Sequence, residues 1–267
     1  MEKNEDIIIA VICKREKEYI REFVEYHLKL GFDKIYVGDN NDDVDEHYDD
    51  ILADLIKDNK VTILNYRHAP SQQIQFYNYI IDNIDYEWCA FIDCDEFLTF
   101  NNNSGFSDIK TFLNQNKQID NYHVSWMCFG DCGNIVNNGE GGVLERFPNP
   151  LPFNKTHEYD FPENYHIKSI LRKNTNVHFV NPHSVFTDNA YNPKGEKVHN
   201  GCFSAPYDYS ILFIRHYMTK TLDEWCRNKM TRNGGDNIKV NYTLNKFFAR
   251  NEVTKEKLIY LKNNGYI

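Results

Sequence analysis

The stretch "EWCAFIDCDEFLTF" (residues 87–100) carries an apolar run into three carboxylates and then turns apolar again. The unbroken apolar run predicts a β-strand, residues 88–93, that is buried on both faces. Asp93, Asp95 and Glu96 follow at its end. Burying a charge costs several kcal/mol unless the charge is paired or bound to a metal. The cluster therefore predicts a polar crevice at the end of this strand.

The sequence before residue 87 alternates between apolar runs and helical stripes. Gly31 ends the first helical stripe, as a glycine after a helix commonly does, and Ser71 is placed to cap the third. This alternation predicts an α/β fold with a parallel sheet covered on both faces. The predicted strands are 7–13, 34–38 and 60–66, and the predicted helices are 16–30, 48–57 and one that begins after Ser71.

Polar residues follow the first, second and fourth predicted strands. Ligands of open parallel sheets bind in a crevice at the carboxyl ends of the strands. We therefore expect these three strand ends to face one crevice. Its candidate residues are Arg15 and Glu16 after the first strand, Asp39 and Asn40 after the second, and Asp93 and Asp95 after the fourth.

The βα rhythm breaks after residue 100. We predict a helix over 108–116, strands over 122–129, 166–172, 177–180 and 211–214, and a long loop over 130–166. Thr221 and Glu224 have the spacing of a capping box, and the last 25 residues have a helical pattern. No flexible linker interrupts the chain, so we predict one domain, 1–267, with halves 1–100 and 101–267.

Composition limits the partners and the compartment. The net charge of -9 gives no general attraction to nucleic acid, and no nucleic-acid partner is expected. Seven cysteines without a CxxC pair indicate reduced thiols and disfavour a zinc site at Cys128 and Cys132. The apolar run 7–13 lacks the features of a signal peptide, and no segment is long enough to span a membrane. A cytoplasmic location is predicted, and peripheral association with a membrane is compatible with it.

Asp93 and Asp95 form a DxD pair at a strand end. Two carboxylates in this arrangement suit Mg²⁺ or Mn²⁺, which would neutralise a diphosphate leaving group; the alternative is a solvated acidic turn. Phosphohydrolases of the haloacid dehalogenase type would use Asp93 as a nucleophile, but they place Thr or Val where this chain has Phe97. Nucleotide-sugar glycosyltransferases fit better, because a βα half precedes their DxD. A non-catalytic sugar- or nucleotide-binding protein is the third alternative.

Six blocks, in order, resemble the family 2-like and family 92-like glycosyltransferases. The opening block is "VICKREKEYIREFVEYHLKLGFDKIYVGDNNDD" (11–43), and "WCAFIDCDEFL" (88–98) is similar to the metal-binding segment of those families. "WMCFGDCG" (126–133) and "GGVLERF" (141–147) resemble their middle block. "HIKSILR" (166–172), "NPHSVF" (181–186) and "RHYMTKTLDEWCRNKMTRNGG" (215–235) resemble their closing blocks. The first turn departs from the family, because Lys14-Arg15-Glu16 replaces its Asn, and this leaves donor details open.

The resemblance implies a GT-A fold with a Rossmann-like half. It also implies an inverting, metal-dependent transfer from a UDP-sugar to a glycan hydroxyl, in cell-surface polysaccharide or glycoconjugate synthesis. Mn²⁺ or Mg²⁺ would be the cofactor, held by Asp93, Asp95 and His216, with Glu96 in support.

The resemblance also assigns donor and acceptor residues. Asp39, supported by Asn40, would accept a hydrogen bond from the uracil N–H, and Arg15 and Glu16 would frame the base or ribose. The candidate catalytic bases are Glu145, narrowly preferred, Asp131 and Glu140; Trp126 and Phe129 are candidates for sugar stacking. Candidate contacts to the diphosphate are Lys220, Lys229 and Arg232, with Lys168 and His183 as weaker candidates.

Overall fold

The first strand, Ile7–Cys13, lies inside the sheet and is buried on both faces. The computed structural model describes residues 6–42, 46–115, 118–151, 162–173, 176–203, 207–232 and 242–267. Ile9 and Val11 pack into one hydrophobic core, and Ile8 and Ala10 pack into a second core on the opposite face. A continuous apolar run is the pattern that a strand covered on both faces requires.

One sheet of nine strands runs through the described residues. The strands are β1 Ile7–Cys13, β2 Lys34–Asp39, β3 Val61–Asn65, β4 Trp88–Phe91, β5 Glu96–Phe100, β6 Asn121–Cys128, β7 Ile167–Arg172, β8 Ala190–Tyr191 and β9 Leu212–His216. Their order in the sheet is β3-β2-β1-β4-β7-β6-β9-β5, with β8 paired to β6. β1, β2, β3 and β4 are parallel, whereas β7 is antiparallel to both β4 and β6.

The longest helices in the first half cover the two faces of the parallel strands. The α-helices of the described residues are α1 Ile20–Lys29, α2 Ala53–Lys57, α3 Gln73–Asn83, α4 Ile109–Leu113, α5 Val143–Arg146, α6 Leu222–Glu224, α7 Leu244–Phe248 and α8 Lys255–Asn263. Phe23 and Val24 of α1 join the first core, and Phe76 and Ile80 of α3 join the second. A π-helical turn, Trp225–Lys229, continues α6, and a 3₁₀ turn spans Pro162–Tyr165.

The predicted α/β class is confirmed, including the order of strands and helices up to β4. The parallel half continued by a mixed sheet is the architecture that the GT-A resemblance implies. The Thr221 capping box is confirmed, because the Thr221 hydroxyl accepts from the Glu224 N–H while the Glu224 carboxylate accepts from the Thr221 N–H. In the described part of the chain, no helix is both long and apolar enough to cross a membrane.

Several local predictions are wrong. Residues 177–180 form no strand, and α2 covers only the second half of the predicted helix 48–57. Ser71 does not cap α3: the N-cap is Gln72, and Ser71 has a left-handed backbone with φ 59°. Strand β5 was not expected, because its five residues directly follow the acidic turn and its partner β9 lies more than 100 residues away in sequence. The residues 233–235, at the end of the last resembling block, lie outside the described residues.

Candidate active site

A polar cleft of about 660 Å³ opens at the carboxyl ends of the parallel strands. This volume is in the range of ligand-binding clefts. The prediction that the ends of β1, β2 and β4 share a crevice is therefore confirmed in outline. Residues from the end of β3 and from the segment after α6 complete it. The polar lining residues are Lys14, Glu16, Asn40, Asp42, His68, Ser71, Gln73, Asp93, Asp95, Lys229, Arg232 and Tyr242.

Asp93 lines the cleft, and its carboxylate is held by Lys168 and Gln73. Lys168 Nζ lies 2.9 Å from Asp93 Oδ2, and Gln73 Nε2 donates to Oδ1 at 2.5 Å. Lys168 is 1% exposed, whereas the Asp93 side chain is 33% exposed. Burial opposes ionisation of Asp93, but the positive charge of Lys168 outweighs it and lowers the pKa of the carboxyl. Lys168 therefore holds Asp93 ionised without lining the cleft.

Glu96 supports the turn rather than the cleft. Its Oε2 accepts from the Asp93 N–H at 2.9 Å, which closes the turn between β4 and β5. The side chain is fully buried, and Lys168 Nζ lies 3.9 Å away. Burial raises the pKa of Glu96 well above its ordinary value despite this neighbour. The residue thus has a supporting position next to the DxD pair.

Asp95 is surrounded by groups that favour its charge. Lys229 Nζ lies 2.7 Å from Oδ2, and His216 Nε2 lies 3.6 Å from Oδ1. Burial opposes ionisation, yet Lys229 and the His216 ring hold the pKa of Asp95 well below its ordinary value. The fold brings Asp95 and His216 together by pairing Glu96 with His216 in the β5–β9 ladder.

Asp95 and His216 are the groups beside the DxD turn that would hold a hard divalent ion. The nitrogen of His216 that faces the Asp95 carboxylate is Nε2, and Nδ1, on the other side of the ring, is buried without a hydrogen-bond partner among the described residues. Within the described ranges, no group of three or more His, Cys, Asp or Glu side chains is gathered as a metal site. Mg²⁺ and Mn²⁺ take most of their ligands from water and phosphate oxygens, so two protein ligands are enough. Of the three predicted ligands, Asp95 and His216 lie together, and Asp93 faces Lys168.

Glu16, which follows β1, forms ion pairs with Lys220 and Arg232 from the second half of the chain. Its carboxylate lies 2.8 Å from Lys220 Nζ and 2.9 Å from Arg232 Nη2. Arg232 also donates to the carbonyl oxygen of Lys14. Burial alone would raise the pKa of Glu16, but Lys220 and Arg232 lower it below the ordinary value. This cluster holds Arg232 at the cleft, where an anionic ligand would meet it.

At the end of β2, Asp39 is used in an internal network. Arg67 Nη1 lies 2.7 Å from its Oδ2, and Asn41 donates to its Oδ1 through both N–H and Nδ2. Asn40 donates to the carbonyls of Tyr66 and Ala69. The structure thus gives both residues a role in shaping the base of the loop, and only Asn40 lines the cleft. A contact to uracil remains a prediction.

Four non-glycine residues around the cleft have a left-handed backbone. They are Arg15 (φ 57°), His68 (φ 64°), Ser71 (φ 59°) and Lys220 (φ 49°). Such conformations are unfavourable for residues with a Cβ and concentrate at functional sites. The Arg15 N–H donates to Asn41 Oδ1 at 2.8 Å, and its guanidinium donates to Thr231 Oγ1 at 2.9 Å.

The two preferred candidates for a catalytic base lie away from the cleft. Asp131 Oδ2 pairs with Lys257 Nζ of α8, and its Oδ1 accepts from the Gly133 N–H at 2.9 Å. Glu145 lies in a separate cavity of about 740 Å³ with Glu22 and Arg146, and Glu140 is exposed. The structure therefore places Asp131 in an internal ion pair and does not bring Asp131 or Glu145 to the DxD turn.

The aromatic candidates are buried. Trp126 is 7% exposed and Phe129 is 3% exposed, so neither presents a ring face to the cleft. His183 packs against Trp126, and burial lowers the pKa of His183 to about 3. All seven cysteines are free thiols; Cys132 is exposed and Cys128 is buried.

Sequence reasoning missed Gln73, Arg67 and His68. Gln73 and Arg67 hold Asp93 and Asp39 in place, and His68 lines the cleft. Arg67 and His68 lie just after β3 and Tyr66, so the convergence of strand ends also predicts them when it is applied to the third strand. Gln73 is in the first turn of α3, and no local pattern marks it as a partner of Asp93.

Comparisons of the amino-acid sequence with known proteins identify a family. The sequence profile of glycosyltransferase family 92 matches residues 11–257. A family 92 protein of Oryza sativa subsp. japonica is 24% identical over 133 residues, which are 49% of this chain and 22% of that protein. A family 92 protein of Ricinus communis is 28% identical over 138 residues, which are 49% of this chain and 24% of that protein. The matched region is thus under a quarter of either relative.

Among solved structures, S. aureus TarS 1-349 aligns with 95% of this chain and 77% of its own, at 12% identity and a TM-score of 0.39. The structure of TarS 1-349 in complex with UDP-GlcNAc aligns with 63% of this chain and 45% of its own, at 14% identity and a TM-score of 0.35. The family profile covers most of the sequence, from the first strand to α8. The chain belongs to glycosyltransferase family 92.

Proposed function

We propose that this chain is a glycosyltransferase that moves a sugar from a nucleotide-sugar donor, a UDP-sugar, to a hydroxyl of a glycan acceptor. The observation that carries the proposal is the DxD turn at the carboxyl end of β4, with Lys229 and Arg232 lining the same cleft. Nucleotide diphosphates need cations at this edge of a parallel sheet, and family membership supports the reaction class.

The donor would lie across the ends of β1, β2 and β4. Lys229 and Arg232 would contact the diphosphate, with Glu16 and Lys220 holding Arg232 in position. Charge-assisted contacts of this kind stabilise the leaving group as negative charge develops on it. Asp95 and His216 would hold a divalent ion, which when bound supplies further positive charge to the diphosphate.

In the transfer, an acceptor oxygen forms a bond to the anomeric carbon, and the bond from that carbon to the diphosphate oxygen breaks. The hydroxyl proton passes to a base, and the nucleoside diphosphate leaves with the bonding electron pair. We propose inversion at the anomeric carbon, as the resemblance implies. Glu145 and Asp131 remain the proposed bases from sequence, although the ion pair of Asp131 with Lys257 favours a structural role for Asp131.

We further propose that the reaction serves cell-surface polysaccharide or glycoconjugate synthesis, in the cytoplasm or at a membrane surface. The single domain of 1–267 would then divide into a donor half, 1–100, and an acceptor half, 101–267.

The test is titration calorimetry of UDP with Mn²⁺ and with EDTA, together with a turnover screen of UDP-sugars. We expect Mn²⁺ to strengthen UDP binding, and we expect Asp95→Asn to remove that gain. Lys229→Ala should weaken UDP binding roughly tenfold or more, since hydrogen bonds to charged groups contribute about 1.5–3 kcal/mol. Asp58→Asn, a change at an exposed carboxylate that precedes β3, at the opposite end of that strand from the cleft, is the matched control and should bind as wild type.

The outcomes separate the parts of the proposal. UDP binding that is equal with Mn²⁺ and EDTA would refute the metal requirement alone. If UDP binds but no UDP-sugar is turned over with any acceptor, the protein is a nucleotide-binding protein. Release of phosphate from an aryl phosphate, abolished by Asp93→Asn, would establish a phosphohydrolase instead.

A further inference from the structure

A cluster of aromatic and imidazole rings lies next to the DxD turn. Trp126 is its centre: its ring centroid lies 4.1 Å from that of His216, 4.9 Å from that of His166 and 5.3 Å from that of His183. His166 and His183 are 4.7 Å apart. The chemistry proposed above uses only His216 of these four rings.

The sheet places this cluster opposite the donor cleft. Trp126, His166 and His216 come from the end of β6, the residue before β7 and the end of β9, where β6 and β9 run parallel. Strand β7 is antiparallel to β4, so its beginning lies beside the end of β4 that carries Asp93. The DxD turn therefore separates the donor cleft, on the β1 and β2 side, from the rings on the β7, β6 and β9 side.

The cluster is connected to both carboxylates. His216 Nε2 lies 3.6 Å from Asp95 Oδ1, and Lys168, two residues after His166, lies 2.9 Å from Asp93. The ring cluster therefore lies directly beside the DxD turn, on the side away from the donor cleft.

At its outer end the cluster has an exposed apolar face. The Phe203 ring centroid lies 4.4 Å from that of His166, and Phe203 is 50% exposed. Phe186 is 57% exposed and Val180 is 68% exposed on the segment that contains His183. The Ser184 hydroxyl donates to the Gly201 carbonyl at 2.8 Å, which joins this segment to that of Phe203. An exposed aromatic ring beside a polar site is a feature of binding surfaces.

We propose that Phe203 and His166 form the acceptor subsite and that it takes a pyranose ring, whose C–H face packs on the Phe203 ring. This inference rests on the proposed function, because it names the subsite for the second substrate. One face of a pyranose is apolar while its rim carries hydroxyls, so it needs an aromatic face with polar neighbours. Phe203 supplies the face, and the His166 ring beside it supplies polar atoms. Trp126 supports these rings from beneath and does not itself contact the sugar.

The test uses saturation-transfer difference NMR with UDP bound and with methyl β-galactopyranoside, methyl β-glucopyranoside and methyl α-mannopyranoside as probes. We expect ring C–H signals from at least one probe with the wild-type protein, their loss in Phe203→Ala and their retention in Phe203→Tyr. Tyr79→Ala, which removes an aromatic ring of 41% exposure from α3, is the matched control and should retain them. The KM for that probe as acceptor should rise roughly tenfold in Phe203→Ala, as expected for losing one buried aromatic contact.

UDP affinity and hydrolysis of the donor by water separate this inference from the proposed function. Both should be unchanged in Phe203→Ala, because Phe203 does not line the donor cleft. If the probes give equal signals with wild type and Phe203→Ala, or give none while UDP still binds, the subsite is refuted and the donor function stands. If the wild-type protein does not bind UDP, but the NMR signals of the probes are lost in Phe203→Ala, the sugar site stands and the transferase proposal fails. The subsite would also be refuted if Phe203→Ala removed binding of the protein to lipid vesicles and left the sugar signals unchanged.

Discussion

Lowering the pH should destabilise this protein through His27, a histidine of α1 that is fully buried. Both of its ring nitrogens are used in the neutral form. Nδ1 lies 2.8 Å from the Phe23 carbonyl oxygen, to which it donates, and Nε2 accepts from the Leu98 N–H at 3.2 Å. A second proton on Nε2 would face the Leu98 N–H, so protonation must break the link between α1 and β5.

The magnitude follows from the pKa of the ring. Burial lowers the pKa of His27 to about 3, whereas an unfolded chain has a histidine pKa of about 6.5. The unfolded state therefore binds more protons than the folded state as the pH falls below about 6.5. Linkage between these values gives a loss of about 2 kcal/mol in the free energy of unfolding between about pH 7 and about pH 5. The loss continues until the pH approaches the folded-state pKa.

The measurement is urea unfolding followed by far-UV circular dichroism at about pH 7 and about pH 5, for wild type and His27→Gln. Other buried groups also titrate, so the informative quantity is the difference between the two proteins in their pH-dependent loss. We expect the loss to be about 2 kcal/mol smaller in His27→Gln. Ile20→Val, in the same helix and without a titratable group, is the control; it should cost about 1 kcal/mol at both pH values. An equal pH-dependent loss in wild type and His27→Gln would show that protonation of His27 does not destabilise the fold.

Three further substitutions test separate contacts. Lys168→Met should lower the free energy of unfolding by about 2 kcal/mol and should raise the pKa of Asp93. The loss is smaller than for a fully buried ion pair because the Asp93 side chain is one third exposed. Urea unfolding would measure the first effect and carboxyl NMR titration the second, with the exposed Lys262→Met as the control. Thr221→Ala should cost about 1 kcal/mol by removing the cap of α6, and Thr221→Ser should restore it; equal thermal melts for all three proteins would contradict the role of the cap. Gly38→Ala should lower the free energy of unfolding by about 1–3 kcal/mol, because the Cβ of the alanine would lie 3.1 Å from the Ile12 and Phe76 side chains. An unchanged chemical denaturation curve would show that these two side chains move enough to accommodate the methyl group.

The first half of the fold was accessible from sequence because its contacts are local in pattern. Each of β1 to β4 is a short apolar run separated from the next by a helix, and this alternation permits few topologies. The second half was harder to predict. β5 follows the DxD turn without a break, and its partner β9 begins beyond residue 210, so hydrophobic periodicity could not distinguish a strand from a core segment.

The candidate site divides in the same way. The position of Asp93 and Asp95 at a strand end follows from the apolar run before them. Their partners do not: Lys168 is 75 residues from Asp93, Lys229 is 134 residues from Asp95, and Lys220 is 204 residues from Glu16. Each of these lysines was a candidate for the diphosphate, and a sequence gives no means of knowing that each would meet a carboxylate of the protein.

Local sequence is enough to predict the parallel α/β half, the DxD turn at the end of the fourth strand and the capping box at Thr221. These features depend on residues close together in the chain, where periodicity and capping chemistry decide the structure. Three other features depend on how distant segments pack: which charges pair, the position of Asp131 and Glu145 away from the cleft, and the meeting of the rings around Trp126 beside Asp95. The reason is that β7, β6 and β9 lie beside β4 through the strand order of the sheet, and strand order depends on the packing of remote segments, which no local pattern encodes.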